Sequence, residues 1–307
     1  MGQWLPQNSG TYDLLKSVCF PAADTGFVVG NYGTILKTTD GGSHWLPKNS
    51  ETECDLKSAF FIDTDTGYAV GFGFGCSKII KTIDGGENWI PLEPDTIPYW
   101  HYKFFSVHFV DANTGYAVGS DYSDFNDYGA ILKTSDAGET WTRKYTGTNK
   151  YFYIYSVFFT DLLNGYAVGN YSNPNYSSII FKTTNGGETW TSQSSGSTGS
   201  LFSIYFTDSN TGYIGGYPGL MLKTTDKGET WINQNIGASN GTYSLYFPNA
   251  NTGYGTGYNN SIMKTTDGGI NWTSQPSGVT EYLTSVCFTD VNTGYAVGKM
   301  GTILKTT

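Results

Sequence analysis

The sequence consists of seven copies of one repeat, and this repetition limits the possible folds more than any other feature does. Each copy approaches the pattern W-x(n)-S-x-x-F-x(5)-G-Y-x-x-G-x(n)-K-T-x-D-G-G-x-x-W. A Ser lies nine residues before a Gly in every copy, and a second Gly follows four residues later. The serines are Ser17, Ser58, Ser106, Ser156, Ser203, Ser244 and Ser285. Such rigid spacing indicates one structural unit that occurs seven times.

Each repeat contains four short segments of strand character. They are of the types S-V-C-F, G-Y-A-V-G, I-L-K-T-T and W-x-x-Q, and Asn-Thr-Gly and Asp-Gly-Gly turns separate them. Four such strands in a unit of 41 residues, the distance from Ser17 to Ser58, predict one blade of a propeller. We name the strands A, B, C and D from the central channel outwards. No segment sustains a 3.6-residue apolar period, so we expect almost no helix.

The two ends of the chain complement each other. Residues Trp4–Gly10 match Trp272–Gly278, whereas the chain stops at Thr307 in the middle of a repeat. We therefore predict an all-β fold in one domain, residues 1–307: a seven-bladed β-propeller of four-stranded antiparallel blades. The N-terminal strand completes the C-terminal blade, which removes exposed strand edges. We expect Met1 and Gly2 to replace a leader that this chain does not contain.

Charge and composition exclude several classes of partner. The formal net charge is −9, and Arg143 is the single arginine beside 16 lysines, so nucleic acid is not an expected partner. No apolar stretch reaches the length of a membrane span, so we expect no membrane insertion. The four Cys and three His do not have the spacing of metal ligands. The Gly-Phe-Gly-Phe-Gly run at 71–75 resembles a nucleotide-binding loop, but such a loop opens a helix and none is expected here. We therefore expect no cofactor and no metal.

The segment Thr38–Trp45, T-T-D-G-G-S-H-W, and its copies fit the Asp-box pattern S/T-x-D-x-G-x-x-W. This motif resembles that of the BNR-type propellers, which include sialidases, xyloglucanases and sortilin-type receptors. Together with T-G-Y-A-V-G, it is most similar to the photosystem II assembly-factor family and its secreted bacterial relatives. The resemblance covers the whole chain and implies the fold. It implies no single function, because the relatives range from enzymes to chaperones. The assembly factors carry a basic patch, which this chain cannot supply.

The Asp box is expected to be structural. Its Asp caps the turn by accepting backbone N–H bonds, its Gly supplies positive φ, and its Trp packs between blades. Asn185 replaces the Asp in the fourth copy, as a turn role permits. We expect the Lys of strand C to be solvated or locally paired.

Only two connections vary in length. The spacing from Trp to the next Ser is 13 residues, except 17 for Trp89 to Ser106 and 15 for Trp141 to Ser156. The spacing from the first Gly to Lys is 11, except 14, 18 and 17 in blades two, three and four. These D-to-A and B-to-C loops emerge on one face of an up-and-down propeller, which we call the variable face. The A-to-B loops and Asp boxes form the Asp-box face.

The additions on the variable face are rich in aromatic residues and lie over blades two to four. Aromatic platforms beside carboxylates suit sugar rings, and they fit a peptide equally well. The alternative is that these side chains bury one another to hold long loops. The candidate ligand-binding residues are Tyr99, Trp100, His101, Tyr102, Asp121, Tyr122, Phe125, Tyr128, Tyr151, Tyr153, Tyr171 and Tyr176. Asp121, Asp124 and Asp127 could hold calcium, but their spacing matches no established loop, and we expect them to be solvated.

Two pairs of cysteines have different expected roles. Cys54 and Cys76 lie in the D-to-A and B-to-C loops of blade two, so a disulfide between them is plausible and would imply an oxidising compartment. Cys19 and Cys287 occupy equivalent positions in strand A and are expected to be buried free thiols. His108 also lies in strand A, where we expect it to pack in the core or the channel.

These patterns predict a non-catalytic binding or scaffold module, secreted or on a bacterial cell surface, that recognises a polysaccharide or a protein. A chaperone-like assembly factor for a protein partner is one alternative. The other is a polysaccharide-active lyase or glycoside hydrolase that uses His101, tyrosines and loop carboxylates. Sialidase activity needs three arginines and is excluded. We expect a monomer or one part of a larger multidomain surface protein.

Overall fold

The computed structural model describes residues 3–73, 75–92, 101–123, 125–147, 150–171, 177–234, 236, 241–258 and 260–307. The described residues form seven four-stranded antiparallel sheets, and each A strand contacts the A strands of both neighbouring blades around a closed ring. The described ranges contain a 3-10 turn at Asn31–Gly33 and no α-helix. The prediction of an all-β, seven-bladed propeller is confirmed.

The strands occur in the predicted order within each blade. The A strands are Leu15–Cys19 (β2), Leu56–Phe61 (β6), Tyr102–Phe109 (β10), Phe152–Phe159 (β14), Ser200–Phe206 (β18), Thr242–Tyr246 (β22) and Leu283–Phe288 (β26). The B strands are Gly26–Gly30 (β3), Gly67–Gly73 (β7), Gly115–Ser123 (β11), Gly165–Tyr171 (β15), Gly212–Tyr217 (β19), Gly253–Gly257 (β23) and Gly294–Gly298 (β27).

The two outer strands of each blade are shorter on average. The C strands are Ile35–Thr38 (β4), Cys76–Thr82 (β8), Asn126–Thr134 (β12), Ser177–Thr183 (β16), Leu220–Thr224 (β20), Ser261–Thr265 (β24) and Ile303–Thr306 (β28). The D strands are Leu46–Lys48 (β5), Ile90–Leu92 (β9), Thr142–Thr146 (β13), Thr191–Gln193 (β17), Ile232–Asn233 (β21), Thr273–Pro276 (β25) and Leu5–Gln7 (β1). Strand β1 pairs with β28, so the N-terminal strand is the outer strand of blade seven.

The core lies between neighbouring blades and is built from the repeated aromatic positions. The Tyr68 ring of blade two stacks on Phe109 of blade three at 3.9 Å, and Phe109 meets Trp141 edge-on at 6.1 Å. The Gly of the G-Y pair is required by this packing, since a Cβ on Gly115 would lie 2.5 Å from the Phe109 ring. Aromatic pairs of this kind each contribute about 0.5–1.5 kcal/mol beyond their area burial.

The Asp boxes connect each blade to the blade before it. In the fifth box, the Asp226 carboxylate accepts bonds from the Thr224 hydroxyl and from the backbone N–H of Thr230. The carbonyl of Lys227 then accepts bonds from the Tyr166 hydroxyl and the Lys182 ammonium group of blade four. The repeated Asp and Lys therefore stabilise turns and blade contacts, and function has to be sought elsewhere.

Candidate functional site

The insertion in blade three extends strands instead of forming the expected loop. Strands β11 and β12 stay paired from Gly115 opposite Thr134 out to Ser123 opposite Asn126. Because side chains alternate across a strand, Asp121 points inwards and is 4% exposed, whereas its neighbour Tyr122 is 38% exposed. The hairpin is therefore a paired extension of strands B and C on the variable face.

Asp127 is a buried anchor of this hairpin. Its carboxylate lies 2.8 Å from the Lys103 ammonium group and accepts hydroxyl bonds from Ser120 at 3.0 Å and Tyr153 at 2.7 Å. The residue is 5% exposed, and these three partners compensate for the burial of its charge. Asp127 therefore binds the hairpin to strands β10 and β14, and is not the solvated residue that its loop position predicted.

Asp121 makes a second buried network with the single arginine. Its carboxylate lies 3.0 Å from the Arg143 guanidinium group, whose Nε donates to the Tyr102 hydroxyl at 2.9 Å. Burial raises the pKa of Asp121 despite this neighbouring positive charge. The Tyr102 ring is 1% exposed, so it belongs to the core and offers no surface for ligand stacking.

The remaining candidates differ in exposure. Phe125 and Tyr151 are 88% and 39% exposed, while Tyr171 is half-buried and stacks on Phe152 at 4.5 Å. His101 and Tyr128 are half-buried, and the His101 Nδ1 atom lies 2.7 Å from the Tyr122 carbonyl oxygen. Three candidates lie outside the described residues: Tyr99, Trp100 and Tyr176. The same applies to Asp124.

The described part of the chain holds no cluster of three or more His, Cys, Asp or Glu suited to a metal ion.

Cys54 and Cys76 are joined by a disulfide, with their Cα atoms 5.9 Å apart. The bond links the connection that precedes β6 to the start of β8, both on the variable face of blade two. It closes a loop across 22 positions and so restricts the unfolded chain. This edge of the variable face is therefore covalently fixed.

A β-bulge in every A strand shapes the mouth of the central channel. In all seven A strands the pairing register shifts at the residue before the repeated Ser, so that residue has no opposite partner in strand B. The extra residue and the Ser both point away from the blade core. In strand β2, for example, Lys16 and Ser17 are both partly exposed, whereas Leu15 and Val18 on either side of them are buried. We call the seven bulge residues the mouth ring: Lys16, Lys57, Phe105, Tyr155, Phe202, Tyr243 and Thr284.

Four consecutive members of the mouth ring form an aromatic arc. Phe105 and Tyr155 are 4.9 Å apart between ring centroids, Tyr155 and Phe202 are 5.3 Å apart, and Phe202 and Tyr243 are 5.3 Å apart. All four side chains are half-buried, so each retains surface within the channel. The arc thus lines the mouth continuously across blades three to six.

Tyrosines on blades five to seven extend this arc to the surface of the variable face. Tyr258 lies 5.1 Å from Tyr243, and Tyr217 and Tyr282 lie 6.0 and 6.4 Å from Tyr258. Tyr217 and Tyr258 are 48% and 47% exposed. Sequence reasoning missed the arc and these tyrosines because it looked for inserted loops. For the arc, the signal was the residue before the repeated Ser, which reads K, K, F, Y, F, Y, T at constant spacing.

Below the mouth ring, the channel is lined by a second set of side chains, which we call the deep ring. Phe60, His108, Phe158 and Tyr205 follow one another with ring centroids 5.1, 5.2 and 5.4 Å apart. The other members are Tyr246, Cys19 and Cys287. Burial lowers the pKa of His108 to about 4, so its imidazole is neutral at pH 7.

The two free thiols belong to the deep ring. Cys287 is buried, and Cys19 is partly exposed, a small departure from the expected full burial. Burial raises the pKa of both thiols, that of Cys287 to about 12. Both are therefore protonated at neutral pH and poorly nucleophilic.

A family model described as photosynthesis system II assembly factor YCF48 matches residues 1–149 and 147–240. The chain belongs to this family. No curated protein matches it by sequence. The described residues contain no helix with the length and apolar character that spanning a membrane requires.

Several solved propellers resemble the YCF48-family fold of this chain. A structure of YCF48 bound to D1 peptide is 19% identical with a TM-score of 0.77, and the match covers 99% of this chain and 96% of that one. YCF48 from Cyanidioschyzon merolae is 20% identical with a TM-score of 0.77, over 99% and 98% of the two chains. The GH74 xyloglucanase from Xanthomonas campestris is 11% identical with a TM-score of 0.74, over 99% of this chain and 53% of the enzyme. At these identities the structures show a shared fold, whereas the family match favours the assembly-factor alternative.

Proposed function

We propose that this chain is a non-catalytic, chaperone-like assembly factor that binds an extended segment of a protein partner at the channel mouth on its variable face. The observation that carries this proposal is the aromatic arc Phe105–Tyr155–Phe202–Tyr243, which retains accessible surface at the channel mouth. Aromatic side chains lose little conformational entropy on binding and are enriched in protein interfaces.

Two observations support a protein ligand over a polysaccharide. The chain belongs to the assembly-factor family, and one YCF48 structure of the same fold holds a peptide. The carboxylates Asp121 and Asp127 are buried and engaged in ion pairs, so neither supports the acid and base roles of a glycoside hydrolase.

The Cys54–Cys76 disulfide supports a location outside the reducing cytosol. We therefore propose that the chain acts in an oxidising compartment, as a secreted or cell-surface protein.

Fluorescence anisotropy with defined probes tests the proposed binding. The peptide probe is a pool of fluorescein-labelled octapeptides with mixed residues at seven positions and a C-terminal Phe, and the sugar probe is a set of labelled xyloglucan oligosaccharides. We expect the peptide pool to bind the wild type and to bind Phe202→Leu about tenfold more weakly, since contacts at the centre of an interface contribute most of its energy. Tyr12→Leu is the matched control, because Tyr12 is 83% exposed and lies before blade one, away from the arc.

Each result decides between the alternatives once thermal denaturation shows that the variants are folded. Equal binding of the peptide pool to the wild type and Phe202→Leu would overturn the placement at the arc. Binding of the oligosaccharides without any binding of peptides would overturn the protein-partner proposal and restore the polysaccharide alternative.

A further inference from the structure

The two lysines of the mouth ring are in different electrostatic situations. The Lys57 ammonium group lies 3.0 Å from the Asp55 carboxylate and 5.0 Å from the centroid of the Phe72 ring. Within the described ranges, the Lys16 ammonium group makes no hydrogen bond and no ion pair, although the side chain is half-buried. Lys16 is therefore a cation in the channel mouth that has no ion-pair partner among the described residues.

The surroundings of Lys16 disfavour its positive charge. Burial lowers the pKa of Lys16 to about 8, with a further lowering from the Lys57 charge and an opposing effect from Asp55. Most Lys16 side chains are still protonated at pH 7. A partly desolvated cation that lacks a partner is destabilising, and an anion placed beside it would remove that cost. The site therefore favours a negatively charged group on the ligand.

The shape of the channel limits how this group can arrive. Lys16 and Lys57 of blades one and two line the part of the mouth ring left open by the aromatic arc of blades three to six. Below them, Phe60, His108 and Phe158 of the deep ring line the channel in contact with one another. A mid-chain segment would have to enter and turn back, whereas a chain end can enter directly.

We propose that the channel mouth binds the C-terminal carboxylate of a peptide, with Lys16 as its counter-ion and the aromatic arc against the last side chain. An apolar or aromatic last residue fits this arrangement, because its side chain meets the arc while the carboxylate meets Lys16. This inference rests on the proposed function and specifies which part of the partner is recognised.

The test compares three pools of fluorescein-labelled octapeptides that share mixed internal positions. The first pool ends in Phe as a free acid, the second ends in Phe as a carboxamide, and the third ends in Glu as a carboxamide. We expect the free acid to bind the wild type about tenfold more tightly than either carboxamide, as is typical for an interaction with a charged group. This preference is lost in Lys16→Met and kept in Lys16→Arg.

Lys78→Met is the matched control, since Lys78 lies in strand C of blade two, outside the channel, and the change removes the same charge. The control should keep the full preference for the free acid. Equal binding of free acid and Phe carboxamide to the wild type would overturn the inference and leave the proposed function intact. Equal binding of free acid and Glu carboxamide would also overturn it, because a side-chain carboxylate would then suffice. If no pool binds, the proposed function fails, and the inference fails with it.

Discussion

The Ser203 hydroxyl of blade five lies 3.1 Å from the backbone nitrogen of Leu245 in blade six and accepts its hydrogen bond. The same bond joins Ser17 to Ala59 and, across the ring closure, Ser285 to Val18. The repeated Ser thus connects the A strands of neighbouring blades. The bulge before it leaves the adjacent residue free to vary, and this residue shapes the channel mouth.

Replacing Ser203 by Ala should lower the free energy of unfolding by about 1 kcal/mol, because the Leu245 N–H loses its acceptor in a partly buried position. Chemical denaturation measures this change. Ser274→Ala is the control, since Ser274 is exposed in strand β25, and its replacement should change stability little. Equal effects of the two substitutions would contradict the connecting role of the repeated Ser.

The stability of the Asp box should survive replacement of the Asp carboxylate by an amide, but not removal of the side chain. Asn185 already accepts from the Thr183 hydroxyl and the Thr189 N–H, as Asp226 does with its own Thr224 and Thr230. We therefore expect the Tm of Asp226→Asn to stay close to that of the wild type and the Tm of Asp226→Ala to fall, as measured by differential scanning fluorimetry. An Asn variant as unstable as the Ala variant would show that the charge, and not the turn, is required.

The same pair of variants has a defined pH dependence. Hydrogen bonds donated to the carboxylate by the Thr230 hydroxyl and then by the Thr230 backbone N–H lower the pKa of Asp226 to about 2 from its ordinary 3.8. The carboxylate therefore stabilises the fold fully above pH 4, and this contribution is lost as the pH falls towards 2. Asp226→Asn should lack this part of the acid transition.

His108 should make the protein sensitive to mild acid. Burial between Phe60 and Phe158 lowers its pKa to about 4, so an unfolded chain, with a His pKa near 6.5, takes up the proton first as the pH falls. The free energy of unfolding should fall by about 2 kcal/mol between pH 7 and pH 5 through this residue. His108→Phe, which copies the neighbouring blades, should lack this decrease in denaturation curves recorded at both pH values. An equal decrease in the wild type and the variant would contradict the burial of a neutral imidazole.

Lys16 should titrate well below an ordinary lysine. After reductive ¹³C-methylation, the NMR signal that is absent from Lys16→Met should shift with a midpoint near pH 8. Lys57→Met removes a neighbouring positive charge, which favours the protonated form and should raise that midpoint. A Lys16 midpoint at its ordinary value of 10.5 would show that the side chain is solvated and has no need of an anion.

The fold could be predicted almost completely, because each repeated residue has one local role. Gly115 admits the Phe109 ring, Asp226 caps its turn, and Ser203 joins two blades. The inserted residues were harder to interpret. The sequence shows an alternation of Asp121 and Tyr122, but it does not show that Arg143, on the outer strand of the same blade, lies within reach of Asp121.

The site was only partly predictable for a related reason. Constant spacing indicates structural residues, so the sequence offers no reason to consider Lys16 and Phe202 as ligand contacts. A bulge turns both side chains into the channel. This bulge depends on the pairing between strands A and B, and no local sequence pattern predicts it. The insertions lie on the variable face, while the aromatic surface extends further around the ring, to Tyr217, Tyr258 and Tyr282.

Photo-cross-linking tests the central claim most directly. The probe is the free-acid octapeptide pool with p-benzoylphenylalanine as its last residue, and mass spectrometry locates the attachment on the wild-type protein. Binding at the channel mouth predicts that the cross-links fall on the A strands of the aromatic arc, at or beside Tyr155, Phe202 and Tyr243. Cross-links concentrated on the Asp-box face, or on the blade-three hairpin at Phe125, would contradict the account.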